Sequence, residues 1–378
     1  MVDCRFMRNI LFFTFNELLA SNGISKKIIY QKNALEKNGC KVHLMYIKQD
    51  DPYINLFIDD TKITSYYHNF LWTFKLISFS DIWKYIVENE IEYIYVRYTQ
   101  YASFTINSLF KHLKKKNIKI VLEIPTYPYD AEFKSAKMRL FLLWERVWRR
   151  QLARNLDYII TYTQLDSIWK RPTINIRNGV DFTKIPLRSE NRIIKNKVEL
   201  IAVAAISFWH GYDRIIEGLN LYYQNSKGQI EVYLKIVGKG NLEIYNSLVD
   251  LVKKYNLNNY VTFCGEKYGE ALDELFDAAD IAIGCLGCHR KKIKEVSSLK
   301  NVEYAARGIP FIYSEINKDF DDMKYVKKIS PDESPVDIQE LIEWRKEICI
   351  QPKFIRDSII DLLSWNKQME TVLGALKQ

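Results

Sequence analysis

At 378 residues, 48% hydrophobic and 27% charged, the chain is too apolar to be disordered and long enough for two domains with separate cores. Its net charge of +9 is lopsided: residues 1–188 carry 29 Lys and Arg against 18 Asp and Glu (29 − 18 = +11), and the remainder 26 against 28 (26 − 28 = −2). An anionic partner is therefore expected of the N-terminal half. Six scattered cysteines in so large a chain exclude a disulfide-stapled fold and point to reduced thiols.

In chain order, the opening MVDCRFMRNILFFTF holds only a short apolar run and reads as a first strand (9–15) rather than an export signal. No run approaches the roughly 18 apolar residues of a spanning helix. Residues 23–39 read as a helix, with apolar Ile24, Ile28, Ile29, Ala34 and Leu35 at helical spacing and Gly39 as its stop. Strands are expected at 40–47, 91–98, 118–125 and 156–163, with a helix at 104–117. Residues 171–197, polar and turn-rich, read as a connection between domains. A second series follows: strands at 198–206, 231–238, 260–265, 280–284 and 309–314, and helices at 211–224, 241–256, 271–279 and 299–308. Residues 359–378 read as a final helix. Such alternation predicts two doubly wound α/β domains in tandem. The expected limits are 1–183, 184–358 and a C-terminal helix, 359–378, returning to the first domain.

Two doubly wound domains suit a dehydrogenase or a nucleotide-sugar transferase. The dinucleotide reading needs G-x-G-x-x-G after a strand, but Gly238-Lys239-Gly240 lacks the third glycine. Cys285-Leu-Gly-Cys288-His289 fits a haem-attachment pattern. It follows a buried strand in a chain with no export signal, so its two cysteines are expected to pack a loop. The Asp-Phe-Asp-Asp run at 319–322 is expected to be a solvated turn, not a metal site.

The run KEVSSLKNVEYAARGIPF carries the chemistry. Ser297 or Ser298 can cap a helix starting at Leu299. The unpaired N–H groups and partial positive charge of a helix start suit a diphosphate, and Lys300 adds a full charge. Glu303, one turn on, is placed to reach an attached ribose, with Glu295 near the sugar end. Gly308 closes the helix.

Glu295-x7-Glu303 followed by YAARGIPFIYS resembles the E-x7-E signature of retaining GT-B glycosyltransferases, in particular glycosyltransferase family four. IRNGVDF (176–182), VYLKIVGKG, VTFCGEKYGEALDELFDAADIAIG and the opening ILFFTFNELLASNGISKKI are similar to further segments of that family, so the resemblance spans nearly the whole chain. It implies two Rossmann-like domains facing a cleft, a nucleotide-sugar held by the C-terminal domain and an acceptor by the N-terminal one. The reaction implied is a retaining, metal-independent sugar transfer with no cofactor. Glu303 would hold the ribose and Glu295 would lie by the donor sugar. Ser298, Leu299 and Lys300 would form the phosphate-binding helix start, and Gly23, with Asn22 before it, the glycine loop facing the phosphates.

There are departures. His210 stands before Gly211 where the family commonly has Lys, and Arg214 or Arg290 would supply the missing charge. Gly287 and His289 share the Arg290 loop and are assigned to the donor. Val-Ser-Ser replaces Gly-Phe-Gly after Glu295. Residues 123–130, with Glu123, Thr126 and Asp130, replace a short His-containing turn on the acceptor side. Segment 134–154 has seven Lys and Arg, one Glu, Phe141, Trp144, Trp148 and four leucines, the composition of an interfacial membrane helix. The expected protein is a cytoplasmic hexosyltransferase, peripheral on an anionic membrane, acting on a glycan or lipid-linked glycan in bacterial surface polysaccharide synthesis. A UDP-sugar is its first expected donor and a GDP-sugar its second. Nucleic acid is not an expected partner. A catalytically silent GT-B subunit is the alternative, motivated by His210 and Val-Ser-Ser.

Overall fold

The computed structural model describes residues 8–19, 23–130, 136–189, 194–225 and 230–377. The chain divides into two units, Met1–Arg177 with Trp365–Gln378, and Asn178–Ser364.

The first unit runs β1 (Arg8–Glu17), α1 (Gly23–Lys37), β2 (Cys40–Asp50), β3 (Tyr53–Ile58), β4 (Thr61–Tyr67), α2 (Phe70–Thr73), α3 (Ser80–Glu88), β5 (Tyr93–Arg97), α4 (Phe104–Lys115), β6 (Lys119–Ile124), α5 (Ala136–Arg154), β7 (Tyr158–Thr161), β8 (Ser167–Ile168) and β9 (Arg171–Asn175). Its sheet has the order β4-β3-β2-β1-β5-β6-β7-β9-β8. The six strands from β2 to β9 in that order pair in parallel. The β2–β3–β4 meander and the β8–β9 hairpin are antiparallel additions at the edges. The central strands are near-continuous apolar runs because both sheet faces are covered. Leu11, Phe13, Val96 and Leu122 pack one face, and Ile10, Phe12, Tyr95 and Val121 the other.

The second unit runs β10 (Lys197–Val203), α6 (Tyr212–Asn225), β11 (Glu231–Val237), α7 (Leu242–Lys254), β12 (Val261–Gly265), α8 (Glu270–Asp277), β13 (Ile281–Ile283), α9 (Leu299–Arg307), β14 (Phe311–Tyr313), β15 (Val326–Lys328), α10 (Ile338–Glu347) and α11 (Pro352–Ile360). Its sheet order β12-β11-β10-β13-β14-β15 is all parallel. Counted from β10 this is 3-2-1-4-5-6, the doubly wound order, whose strand direction of travel reverses between β10 and β13.

The expected final helix is two helices. α11 stays with the second unit, and α12 (Trp365–Leu376) belongs to the first, where Trp365, Met369 and Val372 pack with Ile28 and Leu35 of α1. Between them Leu363 is fully buried, its carbonyl accepts the Val180 N–H at 2.9 Å, and Ser364 bridges Val180. That pairing holds the backbone out of helical geometry. The expected connection at 171–197 likewise begins as a strand, β9, and its residues 190–193 lie outside the described residues.

Two residues expected on the acceptor side serve the fold instead. Glu123 of β6 is fully buried. It accepts from Arg97 Nη1 (2.7 Å), Tyr95 and Tyr162 Oη (2.8 Å each) and Gln31 Nε2 (3.0 Å), with Lys27 Nζ at 3.6 Å. Burial raises the pKa of its carboxyl, but Arg97 and Lys27 outweigh that and hold it at about 2. Such a carboxylate fixes α1, β5, β6 and β7 together and has no face left for an acceptor. Asp130 is held by Arg146 and Arg149 of α5, at 2.5 and 3.0 Å. It pins the end of the Pro-containing loop, while Thr126 is exposed.

Candidate functional site

In a doubly wound sheet, ligands sit beyond the carboxyl ends of the strands where the winding reverses. Here that point carries the loops after β10 and β13. After β10, Ser207 and His210 form a capping box round a single 3-10 turn, Phe208–His210. The next residue, Gly211, has φ +67°, and a Cβ on it would stand 2.8 Å from the backbone N of Gly287. The Leu286 N–H donates to the His210 carbonyl at 3.0 Å, and Cys285 Sγ to that of Trp209 at 2.7 Å. The two loops are thus latched backbone to backbone, and glycine at 211 is required twice over. Gly238 and Gly240, the incomplete dinucleotide motif, have the same explanation. A Cβ on either would collide with the carbonyl of Ala204 or Ile206, at 2.0 and 2.2 Å. These glycines admit the β10 loop, not a pyrophosphate.

The third wall is α9. Ser298 is its N-cap residue but makes no side-chain cap bond. Ser297 Oγ lies 3.5 Å from Asp319 Oδ2, and the Ser297 carbonyl accepts from Asn178 Nδ2 at 2.7 Å, tying the Asn-Gly-Val-Asp segment to this loop. The expected serine cap is therefore absent, and the first-turn N–H groups have no side-chain acceptor here. Lys300 is half-buried, with Nζ 3.5 Å from Tyr212 Oη. Burial lowers its pKa, while Cys285, Glu315 and Cys288 push it back up. Glu303 is half-buried and accepts from Arg307 at 2.9 Å. Glu295 is exposed, bridges Ile316 and pairs with Lys318 at 3.1 Å.

Several assigned residues have other duties. Arg214 is fully buried and donates to the carbonyls of Leu286, Ser330 and Ser334 and to Asp332. It ties α6 to two loops and cannot touch a donor. Arg290 clasps Asp213 through two bonds, at 2.7 and 3.0 Å, and also binds Glu333 and the Phe208 carbonyl. Its charge is already matched, so the extra cation expected from it is spoken for. His289 Nε2 lies 2.7 Å from Glu333 Oε1. Burial, reinforced by Lys300, pushes the His210 pKa down to about 2. His210 is a neutral imidazole. Nδ1 accepts the Ser207 N–H at 3.0 Å, so Nε2 bears the proton and is its donor. Of the assigned cations, Lys300 is the one not matched by a carboxylate. Gly23 opens α1, has no positive φ, and a Cβ there would meet nothing within 4 Å. Asn22 lies outside the described residues.

Three residues escaped the sequence reading. Asn301, in the first turn of α9, is fully buried with neither carboxamide atom bonded, and Glu315 and Asn317, after β14, have orphaned polar atoms too. A polar residue between Lys300 and the buried Val302 was the available signal for Asn301. The Asp-Phe-Asp-Asp turn is solvated only in part: Asp319 and Phe320 are buried, half-buried Asp321 accepts from Tyr313 Oη and Lys328 Nζ, and Asp322 is exposed.

Residues 184–323 match the family model described as Glycosyl transferases group 1. No curated protein sequence matches the chain. Among solved structures, the chain is similar to sucrose-phosphate synthase from Thermosynechococcus elongatus (TM-score 0.67, 16% identity, 98% of this chain and 99% of that one). A glycosyltransferase from Rickettsia africae gives TM-score 0.66 at 15% identity over 98% of both chains. Anabaena HepE, solved in complex with UDP and glucose, gives 0.59 at 13% identity over 99% of this chain and 100% of that one. At these identities the likeness establishes the fold, GT-B, with two parallel-sheet α/β domains.

The latch makes a prediction. Gly211→Ala should lower thermal stability by more than about 1 kcal/mol, through a positive φ and a backbone clash. Gly23→Ala should leave stability unchanged or raise it by about 0.4–1 kcal/mol. Denaturant melts of the two variants check this; equal losses would contradict it.

Proposed function

We propose that this chain is a retaining glycosyltransferase of family four. It moves a hexose-type sugar from a nucleoside-diphosphate sugar to a hydroxyl of a glycan or lipid-linked glycan, without a metal in the transfer step, in surface polysaccharide synthesis. A UDP-sugar is the first-choice donor and a GDP-sugar the second. The observation that carries the reading is the start of α9: first-turn N–H groups without a side-chain cap, with Lys300 beside them and Glu303 one turn on, at the point where the sheet winding reverses. The match of residues 184–323 to group 1 glycosyl transferases supports it.

As the sugar–phosphate bond breaks, negative charge gathers on the leaving diphosphate. The helix N–H groups, the Lys300 ammonium and the His210 Nε2–H stabilise it more than the ground state, which is what accelerates the step. Lys300 favours this role because an arriving dianion raises a lysine pKa that burial has lowered. The departing diphosphate accepts the acceptor's proton, so no nucleophilic carboxylate is required.

The acceptor reading rests on α5. Its outward side mixes large apolar residues with arginines where a surface helix should be polar. Leu140, Leu143 and Val147 are 65%, 56% and 61% exposed, among exposed Arg139, Arg146, Arg150 and Arg154. Phe70 and Leu71 of α2 and Phe104 of α4 are exposed as well, and ring contacts join α2 and α4 to this helix through Phe74–Trp144 and Phe104–Trp148. At the far end of α5 a cavity of about 780 Å³ is lined by Arg149, Arg150, Arg154, Lys170, Arg171, Tyr127 and Trp169. A mixed apolar and basic side running into a basic hollow suits an anionic membrane and a phosphate-bearing acceptor. Among the described residues no helix is long and apolar enough to cross a membrane; Lys134 and Ser135 of the basic segment lie outside them.

A second reading, a binding subunit without catalysis, draws on the commitment of Arg214 and Arg290 to internal partners. A thermal-shift panel of UDP-, GDP-, CMP- and dTDP-sugars separates the two when joined to a turnover assay. The first reading expects the UDP-sugar to give the largest rise in Tm and expects Glu303→Ala to abolish release of the free nucleotide. Donor binding without turnover would favour the second, a silent partner of another transferase, and no shift with any donor would refute the first. For the membrane, flotation should carry the protein up with anionic but not neutral vesicles. Leu140→Ser with Leu143→Ser, and Arg139→Glu with Arg150→Glu, should each abolish it; flotation indifferent to lipid charge would contradict the docking.

A further inference from the structure

Cys285 and Cys288 do more than fill a loop. Cys285 follows β13, and Cys288 opens a 3-10 turn, Cys288–Lys291. Both thiols are buried, and their Sγ atoms are 2.6 Å apart. Beyond β14, the Ser314 N–H and Oγ both donate to the Cys285 carbonyl, at 2.9 and 3.2 Å. This brings the next residue, Glu315, against the pair, so that one ligand atom from each of the three lies within 4.8 Å of the others.

Glu315 is the observation that thiol packing leaves unexplained. It is 2% exposed, and neither carboxylate oxygen has a hydrogen-bond partner. A bare buried carboxyl costs several kcal/mol. Lys300 and Lys328 act on it only through space: Lys300 Nζ lies 3.5 Å from Tyr212 Oη, and Lys328 Nζ donates to the Glu315 backbone carbonyl rather than to the carboxylate. Asn301 Oδ1, which would stand 2.9 Å from a Cβ on Gly284, the residue before Cys285, is orphaned too. A buried orphan calls for a missing polar partner.

We propose that Cys285, Cys288 and Glu315 bind a divalent, thiolate-preferring transition metal, zinc by chemistry. Two sulfurs and one carboxylate oxygen suit zinc and exclude magnesium and calcium, which take oxygen ligands. A water can complete a tetrahedron. The charges close: two thiolates and a carboxylate give −3, balanced by the ion and the Lys300 ammonium. With Zn–S about 2.3 Å, two thiolates on one zinc stand about 3.8 Å apart, so binding parts the sulfurs by a small rotation about χ1 and gives up the Cys285 Sγ–H bond to the Trp209 carbonyl, the latch then resting on the Leu286 N–H bond to His210. The ion would pin the β13 loop to the end of β14, beneath the Leu286–Gly287 backbone that latches to Gly211. It takes no part in sugar transfer and does not depend on that reading.

The test uses the full chain, purified with a phosphine reductant and no chelator. Elemental analysis should find one zinc per chain, and Co²⁺ substitution should give a thiolate-to-cobalt charge-transfer band. Cys285→Ser with Cys288→Ser should lose both. Glu315→Gln, the gentler variant should that pair fail to fold, should keep the band and lose at least about tenfold in zinc affinity against a chelating dye. Cys349→Ser, which removes an exposed thiol, should change nothing. The proposal is overturned if the reduced wild type holds no zinc and ZnCl2 leaves its Tm unchanged. It is equally overturned if metal persists in the double cysteine variant, or if peptide mapping of metal-free protein finds Cys285 joined to Cys288 in a disulfide.

Discussion

The second unit depends on a close approach of two backbones. Gly211 lies against Leu286 and Gly287 with no room for a side chain, and the His210 carbonyl and Leu286 N–H join the loops at 3.0 Å. The loops after β10 and β13 are joined there. The Ser207 N–H directs the His210 ring from within the β10 loop, and Cys285, bonded to the Trp209 carbonyl, in turn accepts from Ser314 at the end of β14. Backbone contacts of this kind do not drift as side chains do, so the loops make a preformed frame at the one place in the sheet where strand order leaves space.

Positive charge near this frame is scarcer than the residue types suggest. Arg214 and Arg290 spend their donors on the frame itself, and His210 is held neutral. Of the cations assigned from the sequence, that leaves Lys300 to meet an anion beside the α9 start and the neutral His210 Nε2–H, with Lys291 over the Trp209 ring at 4.2 Å. The surplus positive charge of the N-terminal half takes another form. There the arginines of α5 stand beside exposed leucines, while Glu123 and its cationic partners close up the core. The same residue type thus serves as framework in one unit and as surface in the other, and burial is what separates the roles.

Strands with near-continuous apolar runs, such as those in 9–15 and 280–284, were legible because burial on both faces leaves no other pattern. Helix α9 was legible from its stop at Gly308 and its glutamate. What escaped has a common cause in long-range contact. Nothing local says that Leu363 will pair with Val180 and break the last helix, or that Glu123 will sit beneath two tyrosines and an arginine. The reassignment of Arg214 and Arg290 is of the same kind, since their partners lie 43 to 120 residues away. The edge strand β4 was missed because it is largely polar and exposed, β3 was missed although it is an apolar run, and the Cys285 pair was read without Glu315, 30 residues downstream in sequence.

Hydrogen exchange resolved to single residues, with and without saturating UDP, tests directly whether the amide groups at the start of α9 meet a diphosphate. The Leu299, Lys300 and Asn301 amides should slow on binding by about tenfold or more, while those of the exposed α5 face stay as they were. If UDP binds and these three amides exchange unchanged, the diphosphate lies elsewhere and the site assigned here is wrong.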